Sequence, residues 1–388
     1  MNNNSHIRFN FSTSARILFG WDSLKELPAI ASGYGKHVLF LHSRSVREID
    51  RIRAALVSEG CDVIEQVFSG EPTDSVLQVL LDRYRSKKID VVIGVGGGSV
   101  LDAGKALSAL LANPGDLMDY LEVVGKGMKL TQLPLPFIAI PSTAGTGTEV
   151  TKNAVIKVES QHVKVSMRDV TMIPRVALVD PALTCSVPPA VTASTGMDAF
   201  IQVIEPYCSS GANSMVDLFC REGIPMAAHA LPLAYHAPHD RSAREQMAWV
   251  SLLGGLSLAN AKLGAVHGFA GPVGGMFDVP HGVICACLLP QVFRMNASKV
   301  RATGDATLIS RFEDIAAWVL PDGRRNIEDA VDWFRALNES LSIPRLNALG
   351  IRKTDHSLII EKSLVSSSMK GNPVPLVGQD LRTILENS

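Results

Sequence analysis

The sequence predicts an α/β N-terminal domain on a parallel sheet, followed by an all-helical C-terminal domain. In the first half, short apolar runs alternate with helical periods of about 10 to 15 residues, and long helical periods fill the second half. A chain of 388 residues also exceeds the size at which a single hydrophobic core usually stops growing. We place the domains at 1–184 and 185–388, because Pro181, Pro188 and Pro189 interrupt regular structure there.

Each predicted strand is a short apolar run, and each predicted helix repeats its apolar residues every three or four positions. Helix 45–60, for example, carries Ile49, Ile52 and Leu56 on one side and ends at Gly60. The predicted strands are 37–43, 62–68, 90–95, 137–141 and 176–180, and the first predicted helices are 45–60, 74–88 and 100–111.

Composition excludes several classes of protein. A formal charge of −1 gives no general attraction to nucleic acid or acidic membranes, so we expect neither as a partner. The N-terminus has no apolar signal region and no run reaches the roughly 18 apolar residues of a membrane span, so we expect a cytoplasmic protein. Without CxxC spacing, the cysteines are interpreted as reduced core thiols, not as disulfides or a thiolate zinc site. They are Cys61, Cys185, Cys208, Cys220, Cys285 and Cys287.

A triple glycine follows the buried strand 90–95. Gly96, Gly97 and Gly98 precede Ser99 and a helix, where glycine lets the backbone approach a ligand and the helix start attracts a phosphate. The loop matches neither GxGxxG nor a P-loop. The alternative is a plain turn in which Ser99 caps the helix and Asp102 completes a capping box.

A second loop of small residues, PSTAGTGTEVT at 141–151, follows the next buried strand. Its hydroxyl groups and glycines suit contacts with a ribose or an adenine. The same composition is equally typical of a solvated turn, so the residues alone leave both interpretations open.

Polar side chains in the helical half offer ligands for a metal. Asp198 and Gln202 are four residues apart and share one helix face, while His267 lies in an apolar helical stretch and His281 at a helix start. Two imidazoles and a carboxylate suffice for a divalent transition metal. Alternatively, Asp198 caps its helix in an ST-x-x-D pattern and the histidines are hydrogen-bonded core residues.

Over nearly its whole length the chain resembles the iron-containing (group III) alcohol dehydrogenase family. The matching segments occur in the family's order: RILFGWDSLKELP, GGGSVLDAGKA, PSTAGTGTEVT, VALVDPALTCSVPP, TASTGMDAF, LGAVHGFAGPVGGMFDVPHGV and GNPVPL. The resemblance implies a Rossmann-like dinucleotide-binding domain joined to a helical domain, an architecture shared with dehydroquinate synthase. The active site is then expected in the cleft between the domains.

The resemblance also implies which residues bind the cofactor. Gly97, Gly98 and Ser99 are expected to hold the pyrophosphate, and Asp102 to lie near the nicotinamide. Lys164 falls where family members often carry a cofactor-contacting lysine. The hydroxyl groups expected to line the nucleotide cleft are Ser142, Thr143 and Thr146.

The family's metal is held by one aspartate and three histidines, of which this chain keeps Asp198, His267 and His281. By resemblance these three are also the catalytic residues. Gln202 replaces the remaining histidine, and its carbonyl oxygen is a weaker donor toward iron or zinc than imidazole. Two alternatives stay open: a metal bound with lower affinity or altered selectivity, or no metal and a hydrogen bond from Gln202 to substrate.

A second departure concerns proton transfer. Many family members carry a histidine four residues after the first ligand histidine, whereas this chain has Gly271. Water or a substrate hydroxyl is therefore expected to replace that relay, in a larger and less basic pocket.

Cofactor choice is predicted from the end of strand 37–43. An acidic residue there usually binds the ribose 2′-hydroxyl and repels a 2′-phosphate. Ser43 and Arg44 occupy the position, and a guanidinium beside a small hydroxyl accepts a 2′-phosphate. We therefore expect NADP, or both NAD and NADP, unless Arg44 is only a surface residue.

The leading hypothesis is an NAD(P)-dependent oxidoreductase that transfers a hydride between the nicotinamide and a small alcohol, aldehyde or ketone, assisted by iron or zinc. Its nearest rival is a metal-independent reductase of an acidic carbonyl compound, similar to maleylacetate reductases. A lyase or synthase resembling dehydroquinate synthase and a catalytically silent nucleotide-binding regulator are further alternatives. By resemblance we expect a homo-oligomer, a dimer or larger.

Overall fold

The N-terminal half contains a six-stranded parallel sheet and a separate antiparallel hairpin. The computed structural model describes residues 7–161 and 163–388, so residues 1–6 and 162 of the predicted first domain lie outside the described part. The strands are β1 Arg16–Phe19, β2 His37–His42, β3 Asp62–Val67, β4 Val91–Gly96, β5 Phe137–Pro141, β6 Asn153–Val158, β7 Val163–Arg168 and β8 Val176–Val179.

The sheet has the order β1-β8-β5-β4-β2-β3, and β6 pairs only with β7. From β2 the chain continues to β3 at one edge, whereas from β4 it continues to β5 on the opposite side. The strand order therefore reverses between β2 and β4, and a ligand crevice is expected outside the carboxyl ends of these two strands. The predicted parallel sheet is confirmed.

The remaining regular structure is helical. Among the described residues, all regular elements after β8 are helices or short 3-10 turns. The helices are α1 Leu27–Tyr34, α2 Ile49–Ser58, α3 Asp74–Tyr84, α4 Gly98–Ala112, α5 Leu117–Tyr120, α6 Pro189–Cys208, α7 Ser214–His236, α8 Arg241–Asn260, α9 Ala265–Met276, α10 His281–Thr303, α11 Ala306–Val319, α12 Ile327–Ser340, α13 His356–Leu364 and α14 Gly378–Asn387.

Hydrophobic cores largely divide along the same lines. One continuous core fills the space among α6 to α14, two others cover the opposite faces of the sheet, and a fourth, smaller core joins β8 to α8. The last strand ends at Val179 and the first long helix begins at Pro189. The division after residue 184 falls between these two elements and stays a prediction.

Element boundaries differ from the sequence prediction where local turns intervene. The helix predicted from residue 45 begins at Ile49, because the Ser43 hydroxyl accepts a hydrogen bond from the Ser45 N–H and holds a turn before the helix. Prediction also missed β1 and the hairpin of β6 and β7. Strand β6 buries Ala154, Ile156 and Val158 but leaves Val155 37% exposed, which hid the alternation in the sequence.

Within the described ranges, no single helix has both the length and the apolar character needed to cross a membrane. Helices α8 and α9, bent by 96° to each other, pass that test as a pair, by length and composition only.

Candidate active site between the sheet and the helices

Helix α6 positions the first candidate ligands. It begins at Pro189, so Asp198 lies in its interior, and the Thr195 hydroxyl donates to the Val191 carbonyl instead of capping a helix start. The alternative that Asp198 is a capping residue is therefore wrong. Asp198 and Gln202 are 4% and 3% exposed, and the Gln202 side chain helps to lower the pKa of Asp198, as expected for neighbours on one helix face.

Two further helices bring the histidines to Asp198. His267 lies in the first turn of α9, and its Nε2 is 3.2 Å from Asp198 Oδ1. His281 is the first residue of α10, and its Nε2 is 3.8 Å from the same oxygen. A Cβ on Gly282 would lie only 1.9 Å from the Ser194 carbonyl oxygen, so glycine is what lets α10 start against α6.

Glu205 holds the His267 ring, a role that the sequence analysis missed. Its Oε2 lies 2.7 Å from His267 Nδ1, and its Oε1 accepts the Val266 backbone N–H at 2.7 Å. The carboxylate thus caps α9 and orients the imidazole, leaving Nε2 toward Asp198. Glu205 follows Asp198 by seven residues, two helical turns on the same face, and this spacing was the available signal.

The tail motif GNPVPL supports the same helix start. Asn372 Oδ1 accepts the Ala265 N–H at 3.0 Å and also bonds the Asn296 side chain of α10. Its own amide donates to Asn296 Oδ1 at 2.7 Å. A segment more than one hundred residues away along the chain therefore fixes α9 relative to α10.

Hydrogen bonds and neighbouring charges shift the pKa values of the buried groups in this cluster. Burial by itself would raise the pKa of Asp198, but the hydrogen bond with His267 and the charges of both imidazoles hold it below its usual value. Burial would lower the pKa of His267, yet its bonds to Asp198 and Glu205 raise that pKa to about 10.

The side chains fit a divalent metal ion. Ligand atoms of Asp198, His267, His281 and Cys285 all lie within 4.8 Å of one another. Gln202 Oε1 is buried and, within the described residues, has no hydrogen-bond partner. A carboxylate, two imidazoles and an unsatisfied amide oxygen form a donor set suited to iron or zinc.

Cys285 is a second residue that the sequence analysis did not place at the site. It follows His281 by four residues on α10, so both side chains share one helix face. All six cysteines are free, five of them buried and Cys185 partly exposed.

The glycine loop starts α4 at the crevice. Gly97 is the N-cap and no side chain caps the helix, so the alternative of a Ser99 cap with a capping box is wrong. Ser99 is the second helical residue and partly exposed. Backbone N–H groups of a first turn are available to an anion, and the 15-residue helix points its positive end there.

The second small-residue loop packs against the first. A Cβ on Gly98 would lie 2.9 Å from Thr146 Cγ2, and a Cβ on Gly97 would lie 3.5 Å from Thr143 Oγ1. The Ser142 N–H bonds the Gly96 carbonyl at 2.9 Å. The three predicted cleft hydroxyls therefore lie beside the predicted phosphate loop.

Asp102 faces the hairpin. Its Oδ2 accepts the Val155 N–H at 3.2 Å, while Oδ1 is buried and without a partner among the described residues. Lys105, one turn further, donates to the carbonyls of Thr148 and Asn153, both at 2.8 Å. Burial raises the pKa of Asp102 to about 6 and lowers that of Lys105 to about 8. These buried groups fasten α4 to the start of the hairpin.

The remaining predicted cofactor residues lie at the rim. The Ser43 N–H bonds the Val95 carbonyl at 3.0 Å, next to the glycine loop, and Arg44 is exposed. Lys164 on β7 pairs with Glu71. A Cβ on Gly274 of α9 would lie 3.5 Å from Lys164 Nζ, so this lysine bridges the hairpin and the helical half.

Gly271 leaves space on α9. A Cβ at this position would meet no heavy atom within 4 Å, although the residue lies one turn after His267. Gly271 therefore leaves room beside the cluster of Asp198, His267 and His281.

Comparison with known proteins gives the family. Residues 14–181 match the iron-containing alcohol dehydrogenase family, and residues 192–388 match the Fe-containing alcohol dehydrogenase family, C-terminal. Alcohol dehydrogenase 4 of Saccharomyces cerevisiae (strain YJM789) is 32% identical over 87% of this chain and 86% of its own length. The 1,3-propanediol dehydrogenase of Citrobacter freundii is 34% identical over 87% and 88%, respectively.

A solved structure is also similar to this chain over nearly its whole length. The crystal structure of a 1,3-propanediol oxidoreductase superposes with a TM-score of 0.89 at 30% identity, covering 98% of this chain and 99% of that one. The chain belongs to the iron-containing alcohol dehydrogenase family and is an NAD-dependent oxidoreductase of that family.

Proposed function

We propose that this enzyme transfers a hydride reversibly between NAD(P)H and a small alcohol, aldehyde or ketone, with a divalent metal held by Asp198, His267 and His281 and more weakly by Gln202. The observation that carries the proposal is the convergence of these side chains from α6, α9 and α10. Both imidazoles approach one Asp198 oxygen, at 3.2 Å and 3.8 Å, which supports a single metal ion that all three residues would bind.

The chain's own residues bind and orient the reactants. A metal in this cluster supplies Lewis-acid polarisation of a carbonyl and stabilisation of alkoxide charge. The backbone at Gly97 and Gly98 would hold the cofactor's phosphates at the start of α4, which fixes the nicotinamide end toward the helical half. Glu205 keeps the His267 ring turned so that Nε2 faces Asp198.

Gly271 gives the pocket its shape. The open space at this position supports a larger substrate than a histidine would admit. Because glycine has no side chain that can accept or donate a proton, the alcohol proton would pass to water or to a substrate hydroxyl.

The experiment combines metal analysis with turnover. Protein purified without chelator is analysed for metal and assayed with NADH and NADPH on a panel of small aldehydes and ketones, before and after chelation and reconstitution with iron or zinc. We expect chelation to abolish reduction and reconstitution to restore it. A panel without any reduction after reconstitution would overturn the proposal.

The same assay tests the rival reductase. Gln202 in place of a histidine is the observation that favours a metal-independent enzyme acting on an acidic carbonyl compound. Full activity after chelation, confined to acidic substrates, would favour that rival.

Use of NADP is a separate proposal, based on Ser43 and Arg44 at the end of β2. Exposed Arg44 beside the partly buried Ser43 supports acceptance of a 2′-phosphate. Arg44→Ala should raise KM for NADPH more than for NADH, with exposed Arg47→Ala as control. An equal effect on both cofactors would contradict it.

We also propose a homodimer in the cytoplasm, by analogy with the family. Light scattering of the purified protein would test the assembly, and a monomer would contradict it.

A further inference from the structure

We infer that Cys285 is a direct ligand of the metal, so that the site binds a thiophilic divalent ion such as zinc through Asp198, His267, His281 and the Cys285 thiolate. This inference rests on the proposed metal site and specifies its donor set and its ion. The cysteine spacing did not reveal this ligand, because the chain has no CxxC motif and the other ligands lie on three different helices.

The geometry supports a four-donor shell. Ligand atoms of the four residues all lie within 4.8 Å of one another. Asp198 Oδ1 is 3.2 Å from His267 Nε2 and 3.8 Å from His281 Nε2. Bonds of about 2.0 to 2.3 Å in a tetrahedron place donors roughly 3.3 to 3.8 Å apart, so only small movements are needed to close the shell.

Burial explains why a thiolate forms only with metal. Cys285 is fully buried, and burial raises the pKa of its thiol well above the ordinary value, with the charges of Asp198 and Glu205 adding to the shift. A coordinated metal removes the proton outright. Binding then breaks the S–H bond, forms the sulfur–metal bond and releases the thiol proton to solvent, and any proton on His267 Nε2 is released in the same way.

The thiolate also compensates for the substitution at Gln202. An amide oxygen is a weak donor, whereas a thiolate is a strong, soft one that selects zinc over harder ions. The Gln202 side chain lowers the pKa of Asp198, so its amide can steady that carboxylate and remain a weak donor, while Cys285 supplies the fourth strong donor. The substrate oxygen would then bind as a fifth ligand, since catalytic zinc sometimes expands to five-coordinate in the transition state.

Cobalt(II) substitution tests the ligand directly, without relying on activity. Full-length protein freed of metal is titrated with Co(II), and the thiolate-to-cobalt charge-transfer absorption in the near ultraviolet is recorded together with the visible cobalt bands. We expect the charge-transfer band in the natural protein. It should disappear in Cys285→Ser, whose zinc affinity should fall at least about tenfold.

Cys287→Ser is the matched control. Cys287 lies two residues further on α10, and its Sγ donates to the Pro344 carbonyl at 2.9 Å, away from the cluster. This variant should keep the charge-transfer band. Circular dichroism establishes that both variants fold, and Cys285→Ala provides a second removal of the thiol if serine disturbs the core.

The outcomes separate this inference from the proposed function. Visible cobalt bands without a charge-transfer band, or a band that persists in both Cys285 variants, would overturn Cys285 as a ligand while leaving a metal site. No cobalt binding at all would overturn the inference and the metal-assisted function together. A band lost only with Cys285 supports it.

Discussion

His267 Nδ1 lies 2.7 Å from Glu205 Oε2, while the second oxygen of the same carboxylate accepts the Val266 N–H at the start of the same helix. One buried side chain thus fixes both the ring and the helix that carries it. The arrangement directs Nε2 of the histidine toward Asp198, where a metal would bind.

Glu205→Gln should therefore weaken metal binding. Glutamine has only one accepting oxygen, so it cannot accept hydrogen bonds from both His267 Nδ1 and the Val266 N–H. Loss of such a partner costs about 10- to 100-fold in metal affinity. Competition with a chromogenic chelator measures this. Glu222→Gln on the exposed side of α7 is the control, and equal affinities of the two variants would contradict the role of Glu205.

Gln202→His should strengthen metal binding by about tenfold or more, because imidazole is a better donor than an amide oxygen. Gln202 faces the close contact of α8, where a Cβ on Gly254 would lie 3.0 Å from Gln202 Cβ, so the new ring is confined to the site. Metal content after purification and the dissociation constant report the change. The exposed Gln379→His serves as control, and unchanged occupancy would place Gln202 outside the shell.

Gly98→Ala should weaken cofactor binding. Its Cβ would lie 2.9 Å from Thr146 Cγ2, so the two loops must separate at the phosphate site. We expect the dissociation constant for NADH to rise by at least about tenfold, or about 1.4 kcal/mol. Fluorescence titration measures it. Gly33→Ala, whose Cβ meets nothing within 4 Å, should bind normally, and similar binding by both variants would be evidence against this loop as the phosphate site.

Asp90 should make stability depend on acid pH. Hydrogen bonds from the backbone and the imidazole of His37 lower the pKa of Asp90 to about 2. Since the folded pKa lies below the unfolded value, this stabilisation is complete above pH of about 5 and is lost as the pH falls toward 2.

Asp90→Ala should therefore cost about 1–2 kcal/mol of unfolding free energy at pH 7, allowing for a side chain that is 27% exposed. Urea unfolding at pH 7 and pH 3 should show the difference from the natural protein shrinking at the lower pH. Asp50→Ala, at a side chain 93% exposed, is the control. A difference that stays constant with pH would argue against the hydrogen-bonded carboxylate as its source.

Local patterns were enough for much of the fold. Apolar runs such as 91–96 and 137–141 are buried on both sides of a parallel sheet, and that environment leaves a strong signal in the sequence. The hairpin of β6 and β7 left only a weak signal in the sequence, because an exposed valine interrupts the polar–apolar alternation of β6. The hairpin also pairs outside the main sheet.

Sequence by itself determined the fold class, the family resemblance and the types of side chain available for chemistry, since periodicity and motif order are properties of the chain alone. Only tertiary structure decided which of these side chains meet. Glu205 and Cys285 join the histidines because α6, α9 and α10 cross at one place. Such a crossing depends on helix packing between residues distant in the chain, which no local spacing encodes.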